Sequence, residues 1–145
     1  GSAGGASPRG GCGEGWNSRH GIYGPGSGLP PWVAETDERL GREIAGGRLV
    51  NFGHLGDGNL HYNVQAPEGG DAKAFLREQE ERVNTLVYDS VARFDGSISA
   101  EHGVGSLKTD TLPTYKSAVA LSMMRAVKQA LDPQGTLNPG RVVRL

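Results

Sequence analysis

The sequence predicts an α+β fold: a small, mainly antiparallel sheet covered by helices on one face. Three observations predict it. Two short β-prone runs, residues 48–52 and 59–64, flank a turn built on Gly56, Asp57 and Gly58. A long amphipathic helical pattern follows over residues 73–94. The predicted elements come in the order helix–strand, strand–helix, strand, helix, which lacks the regular strand–helix alternation of a parallel sheet. No internal repeat is visible.

The chain has 145 residues, enough for about one domain. Residues 1–28 hold 11 of its 24 glycines, and that density cannot bury enough apolar surface to offset the entropy of ordering. They are expected to form a disordered or linker-like segment, His20 included, with the domain proper over residues 29–145. A net charge of −1 supplies no electrostatic attraction to nucleic acid or an anionic membrane. Cys12 is the sole cysteine, which excludes an internal disulfide and fits a reducing compartment. No stretch approaches the roughly 20 apolar residues of a membrane span, and no basic-then-apolar leader opens the chain. A cytoplasmic location is the expectation.

Each element has a local cause. Pro30 and Pro31 suit a first helical turn, where a missing N–H costs nothing. Val33, Leu40 and Ile44 then recur at helical spacing, and Gly46-Gly47 ends the run. Residues 48–52 are short, apolar and β-prone. In residues 59–64, Asn59, His61 and Asn63 alternate with Leu60, Tyr62 and Val64, so period two sends three polar side chains to one face. Asp71 is the expected N-cap of the long helix. Leu76, Val83, Leu86, Val87, Val91 and Phe94 form its apolar stripe, opposite a charged face. Residues 96–100 read as a short strand or an extended approach into Glu101-His102. A last helix is expected over residues 114–131, with Ala120, Met124, Val127 and Leu131 buried and both Met123 and Met124 in the core. Asp132-Pro133 stops it.

The chemistry gathers in two loops. His54 leaves the first strand and His61 lies on the second, across a tight turn that can bring both to one point. Glu101 can supply a carboxylate. Two histidines and a carboxylate make an open site for a divalent cation, zinc first, with manganese, iron or cobalt equally compatible with the ligand types. From spacing alone, His54 and His61 can also be satisfied polar residues of a turn. If residues 101–102 are extended, Glu101 and His102 point opposite ways, one to a cation and the other to a substrate, where His102 can serve as general base. Asp57 reads as a turn former, and Lys108 and Lys116 as surface lysines that could attract a carboxylate. Neither a Walker lysine nor a Rossmann glycine spacing is present.

The stretches GHLGDGNLHYN (residues 53–63), ISAEHGVG (98–105) and LDPQGTLNPG (131–140) occur in this order. Together they resemble the C-terminal domain of FAD-linked oxidases of the vanillyl-alcohol oxidase superfamily, within it the D-2-hydroxyacid dehydrogenases. The likeness covers about four-fifths of the chain. It implies that His54, His61 and Glu101 hold a metal, and that His102 takes the 2-hydroxyl proton as hydride passes to flavin. It further implies that Asn63 contacts substrate and Asn138 lies near the flavin. The implied partners are a small 2-hydroxy acid, an electron acceptor and an FAD-binding portion, with a separate chain as one source of the latter, because no such domain stands ahead of residue 29. The strand-rich segment expected before the first helix is also not evident. Hence the alternative of an inactive fragment or a partner-binding module; a small metallohydrolase is a third option from ligand types alone.

Overall fold

In a computed structural model, which describes residues 17–24 and 28–144, the β-prone runs form two strands, and a third stands in front of them. The order is β1 (Asn17–Tyr23), α1 (Leu29–Glu43), β2 (Arg48–His54), β3 (Asn59–Gln65), α2 (Ala72–Arg93), α3 (Leu112–Tyr115) and α4 (Ala118–Leu131). The three strands form one antiparallel sheet in the order β1-β3-β2. This is the α+β arrangement the sequence predicts.

Strand β1 corrects the expectation that residues 1–28 are linker and that no strand precedes α1. Residues 17–23 pair along the whole of β3, Asn17 opposite Gln65 and Tyr23 opposite Asn59. A central strand has polar backbone groups on both edges, and a second ladder satisfies those that β2 leaves free. Ile22 joins the core, and the Gly24 N–H donates to the Gly58 carbonyl at 2.9 Å, tying the end of β1 to the β2–β3 turn. The glycine count of the segment concealed this strand, because Ile22 is its one aliphatic side chain. The preceding residues 1–16 lie outside the described residues.

The β2–β3 connection is wider than a two-residue hairpin: His54 pairs with Asn59, and Leu55–Asp57 make a 3-10 turn. Gly53 is required there. A Cβ at this position would stand 2.4 Å from the Asn59 carbonyl oxygen, so only glycine lets the strands close up.

Leu60, Tyr62 and Val64 of β3 are buried under α1 and α2, as alternation predicts. Trp32 of α1, buried one turn ahead of Thr36, meets Tyr62 edge-on with ring centroids 5.0 Å apart. Val33 lies on the flank, so Trp32, Thr36 and Leu40 set the phase of this helix. Buried Thr36 and Ser90 share a hydrogen bond of 2.7 Å between α1 and α2, which satisfies two hydroxyls that burial would otherwise penalise. Asp71 caps α2 as expected, accepting from the Lys73 and Ala74 N–H groups at 2.9 and 3.1 Å. The Tyr62 hydroxyl donates to Asp37, and burial, reinforced by that carboxylate, raises its pKa.

Residues 96–100, expected as a short strand or an extended approach into Glu101-His102, carry a single bridge at Ser97 and no strand. The expectation for the last helix needs a correction. The last helix is two: α3 ends at Tyr115, and Ser117 caps α4 by accepting from the Ala120 N–H at 3.2 Å. A serine cap competes with helix continuation, which explains the break. Leu121 is the buried residue of α4, while Met123, Val127 and Leu131 are exposed and Met124 is half-buried. These side chains have helical periodicity, but nothing among the described residues covers them.

Candidate metal and substrate site

The polar face of β3 carries the site. Asn59, His61 and Asn63 point away from Leu60, Tyr62 and Val64 because successive residues of a strand alternate. Asn59 and Asn63 are buried, and His61 is partly exposed. Phe52, opposite His61 in the β2–β3 register, stacks on its imidazole with centroids 5.1 Å apart and 25° between planes. This fixes the ring from one side. The approach at residues 96–100 brings Glu101 and His102 against the other.

Glu101 and His102 do not diverge as expected. That expectation required an extended backbone, whereas residues 101–102 form a turn, with the Gly103 N–H on the Ala100 carbonyl at 3.5 Å and Gly103 at φ 66°. Both side chains therefore reach the same space. Ligand atoms of His61, Glu101 and His102 all lie within 4.8 Å of one another. His61 Nε2 stands 3.8 Å from Glu101 Oε2, and the rings of His61 and His102 are 5.7 Å apart. Two ligands at 2.0–2.1 Å from a tetrahedral ion are about 3.4 Å apart. The His61–Glu101 separation thus needs only a small side-chain rotation to meet a cation.

Asn59 divides the labour of the carboxylate. Its amide Nδ2 donates to Glu101 Oε1 at 2.5 Å, which leaves Oε2 facing His61. Its Oδ1 is buried without a hydrogen-bond partner, an arrangement that costs about 1–3 kcal/mol unless something meets it. The two imidazoles and the carboxylate of His61, His102 and Glu101 are donor types that a divalent cation takes.

The other residues singled out by sequence divide as follows. The register sets His54 opposite Asn59, but its side chain lies outside what the structure describes. Asn63 is buried and donates through Nδ2 to the Val50 and His61 carbonyls at 3.0 and 3.3 Å, so that donor braces the sheet. Asn138 sits at φ 47° in an exposed turn and lines a groove beside α4. Asp57 is in the 3-10 turn. Lys108 is no surface lysine: it is half-buried, its Nζ donates to the Ile98 carbonyl at 2.6 Å and lies 5.6 Å from the centre of the Tyr88 ring. Burial lowers its pKa. It braces the approach to Glu101, while Lys116 is exposed. Sequence reasoning missed two supports of the site, Phe52 and the Asn59–Glu101 contact. Cross-strand register could have found Phe52, since a hairpin pairing His54 with Asn59 places Phe52 against His61. The Asn59–Glu101 contact spans 42 residues and has no local signal.

Residues 16–142, which carry this sheet and cluster, match in sequence the family described as FAD linked oxidases, C-terminal domain. The chain belongs to that family. Among curated proteins it is 40% identical over 114 residues to a D-2-hydroxyglutarate dehydrogenase of Stutzerimonas stutzeri, covering 79% of this chain and 24% of that protein. A Xanthomonas citri D-2-hydroxyglutarate dehydrogenase is 41% identical over 116 residues, 80% of this chain and 24% of the relative. The mitochondrial D-2-hydroxyglutarate dehydrogenase of Rattus norvegicus is 42% identical over 107 residues, 74% and 18% respectively. The chain spans about a quarter, or less, of the length of these relatives. Among the described residues, no helix is long and apolar enough to cross a membrane.

Proposed function

We propose that this chain is the substrate- and metal-binding part of an FAD-dependent dehydrogenase that oxidises a D-2-hydroxy acid to the 2-oxo acid. The observation that carries the proposal is the convergence of His61, Glu101 and His102 within 4.8 Å on the open face of the sheet. The names of the relatives and the order of the three motifs point the same way.

Oxidation of a 2-hydroxy acid removes a proton from the hydroxyl and a hydride from C2, and the C–O single bond becomes a carbonyl. His61 and Glu101, with His54 as the third ligand, would hold a divalent cation, zinc first. Such a cation supplies positive charge at a substrate oxygen, which favours loss of the hydroxyl proton. His102 accepts that proton at an imidazole nitrogen, the general-base role that histidine fills most often. Its place beside Glu101 in a turn, on the solvent side of the cluster, leaves it open to a substrate. Asn63 orients the substrate from the strand below. A bound flavin would supply the hydride acceptor and an electron acceptor its reoxidation; Asn138 would be this chain's contribution to its surroundings, and the flavin would be held mainly by residues elsewhere.

Calorimetric titration of the purified chain with Zn²⁺, Mn²⁺ and Co²⁺ tests the proposal. One equivalent of a divalent ion is expected to bind, and His61→Ala and Glu101→Gln should each weaken it at least about tenfold. Adding D-2-hydroxyglutarate to the metal-loaded chain should produce a second binding isotherm. Well under one equivalent of any of the three ions would remove the metal from the proposal.

A further inference from the structure

The cluster of His61, Glu101 and His102 joins two segments of unequal stiffness. His61 stands on β3, which is paired with a strand along each edge. Glu101 and His102 stand on residues 98–111, which form neither helix nor strand. A segment without a ladder opens locally at little cost, and its shape comes from the few groups that hold it. Whatever fixes residues 98–111 therefore fixes how far Glu101 and His102 stand from His61.

The segment is held on two sides by different parts of the chain. On the near side, Lys108 Nζ closes back onto the carbonyl of buried Ile98 at 2.6 Å. On the far side the hold comes from residues 140–144. The Val142 N–H donates to the Gly105 carbonyl at 2.8 Å, three residues past His102. Buried Thr109 donates through Oγ1 to the same carbonyl at 2.9 Å and to the Gly140 carbonyl at 3.3 Å, so one hydroxyl ties the two segments together. Val143 is buried in the core, and Arg144 makes a bidentate pair with Asp110 at 2.6 and 2.8 Å. Arg125 of α4 donates to the Arg144 carbonyl at 3.1 Å. Among these anchors Val142 adopts φ 67°, a left-handed conformation that costs a β-branched residue about 1–3 kcal/mol and persists only where its surroundings impose it. Residues 140–144 are thus shaped by what they touch and not by their own preference.

We propose that residues 140–144 are a clasp that positions Glu101 and His102, and that Thr109 is the positioning residue through which it acts. The proposal rests on the function given above for what the cluster does, and on geometry alone for how the cluster is held. Thr109 acts through the Gly105 carbonyl, not on substrate or cation. Its hydroxyl and the Val142 N–H converge on that carbonyl and close the outer side of the turn that carries Glu101 and His102. Without the hydroxyl, that side of the turn rests on a single hydrogen bond from a strained residue.

The full 145-residue chain carries the test. Thr109→Val keeps a branched side chain and removes the hydroxyl, whereas Thr109→Ser keeps the hydroxyl. The first readout needs no metal. The rings of His61 and His102, with centroids 5.7 Å apart, should show a nuclear Overhauser contact in the parent and in Thr109→Ser, and lose it in Thr109→Val. The second readout is Co²⁺, whose visible absorption depends on the geometry of its ligands. Thr109→Val should weaken Co²⁺ binding about three- to tenfold and change that spectrum, as loss of one supporting hydrogen bond implies. Thr109→Ser should match the parent. Thr36→Val removes a buried hydroxyl of the same kind between α1 and α2. It should lower the denaturation midpoint and leave the ring contact and the cobalt spectrum unchanged, which separates positioning from general stability. Should Thr109→Val not fold, Arg144→Gln decides: it opens the exposed end of the clasp and should weaken Co²⁺ binding about two- to fivefold. The proposal is overturned by a folded Thr109→Val with the parent's ring contact and spectrum, by Thr109→Ser failing to restore them, or by Thr36→Val disturbing the site equally. In the fallback case, an Arg144→Gln chain identical to the parent overturns it. The functional reading fails separately: a parent chain that binds no Co²⁺ but loses its ring contact in Thr109→Val refutes the metal and keeps the clasp.

Discussion

Helices α2 and α4 are both amphipathic, yet they behave oppositely. Helix α2 buries Val83, Leu86, Val87 and Val91 against the sheet and α1. Helix α4 carries an equally regular stripe and leaves most of it in water. The two halves of the molecule follow their helices. Residues 17–94 have a sheet, two long covering helices and most of the buried apolar side chains, whereas residues 95–144 contribute Ile98, Leu112, Leu121 and Val143. The candidate site straddles them, with His61 on the stiff half and Glu101 and His102 on the half held chiefly by turns and single hydrogen bonds. Periodicity reveals that a helix has an apolar face. It does not reveal whether the covering surface belongs to the same domain.

The comparison can be broken most forcefully at α2. Leu86→Ala should cost about 2–5 kcal/mol, read as a lower denaturation midpoint at unchanged slope, because a buried leucine leaves a cavity. A loss below about 1 kcal/mol would mean that the two helices differ less than their burial indicates.

Next comes the contact that joins the halves. Asn59→Ala removes the donor that holds Glu101 Oε1, and loss of such an outer support typically lowers metal affinity about 10–100-fold. Titration with Zn²⁺ checks this, and an unchanged affinity would show that Glu101 finds its position without Asn59.

A third test concerns the turn after α4. The hydrogen bond from Lys128, aided by the Leu137 and Thr136 N–H groups and opposed by burial, holds the Asp132 carboxyl down to about 2, against an ordinary 3.8. A depressed folded pKa means stability that is present above about pH 4 and lost as the pH falls through about 2. Amide exchange or the Asn138 resonances should report loosening of residues 132–140 in that window, and Asp132→Asn should loosen them already at neutral pH. The smallest effect belongs to Leu131→Ala, expected to change the stability of the isolated chain by less than about 0.5 kcal/mol. A larger loss would mean that α4 is covered in solution, by a second copy or by a contact within the chain.

Much of the fold was legible because local chemistry decides it. Proline at the start of α1, Asp71 before α2, Asp132-Pro133 after α4 and the period-two alternation of β3 each act within a few residues. The errors are equally physical. Strand β1 has one aliphatic side chain and is a strand because β3 needs a second ladder. The break between α3 and α4 turns on Ser117 choosing to cap. Of the site, the residue types and the polar face of β3 were visible, along with Glu101 and His102 as a pair. Their direction was not, since it depends on whether residues 101–102 are extended or turned.

By itself, the sequence determined where α1 and α2 run, which face of β3 is polar and which family the motifs resemble, since all three are properties of neighbours along the chain. Only the tertiary structure decided that β1 completes the sheet, that Asn59 and Phe52 support the cluster from either side, and that α4 keeps its stripe exposed. Each of these is a contact, or the absence of one, between residues far apart in sequence, and periodicity carries no information about what lies across the gap.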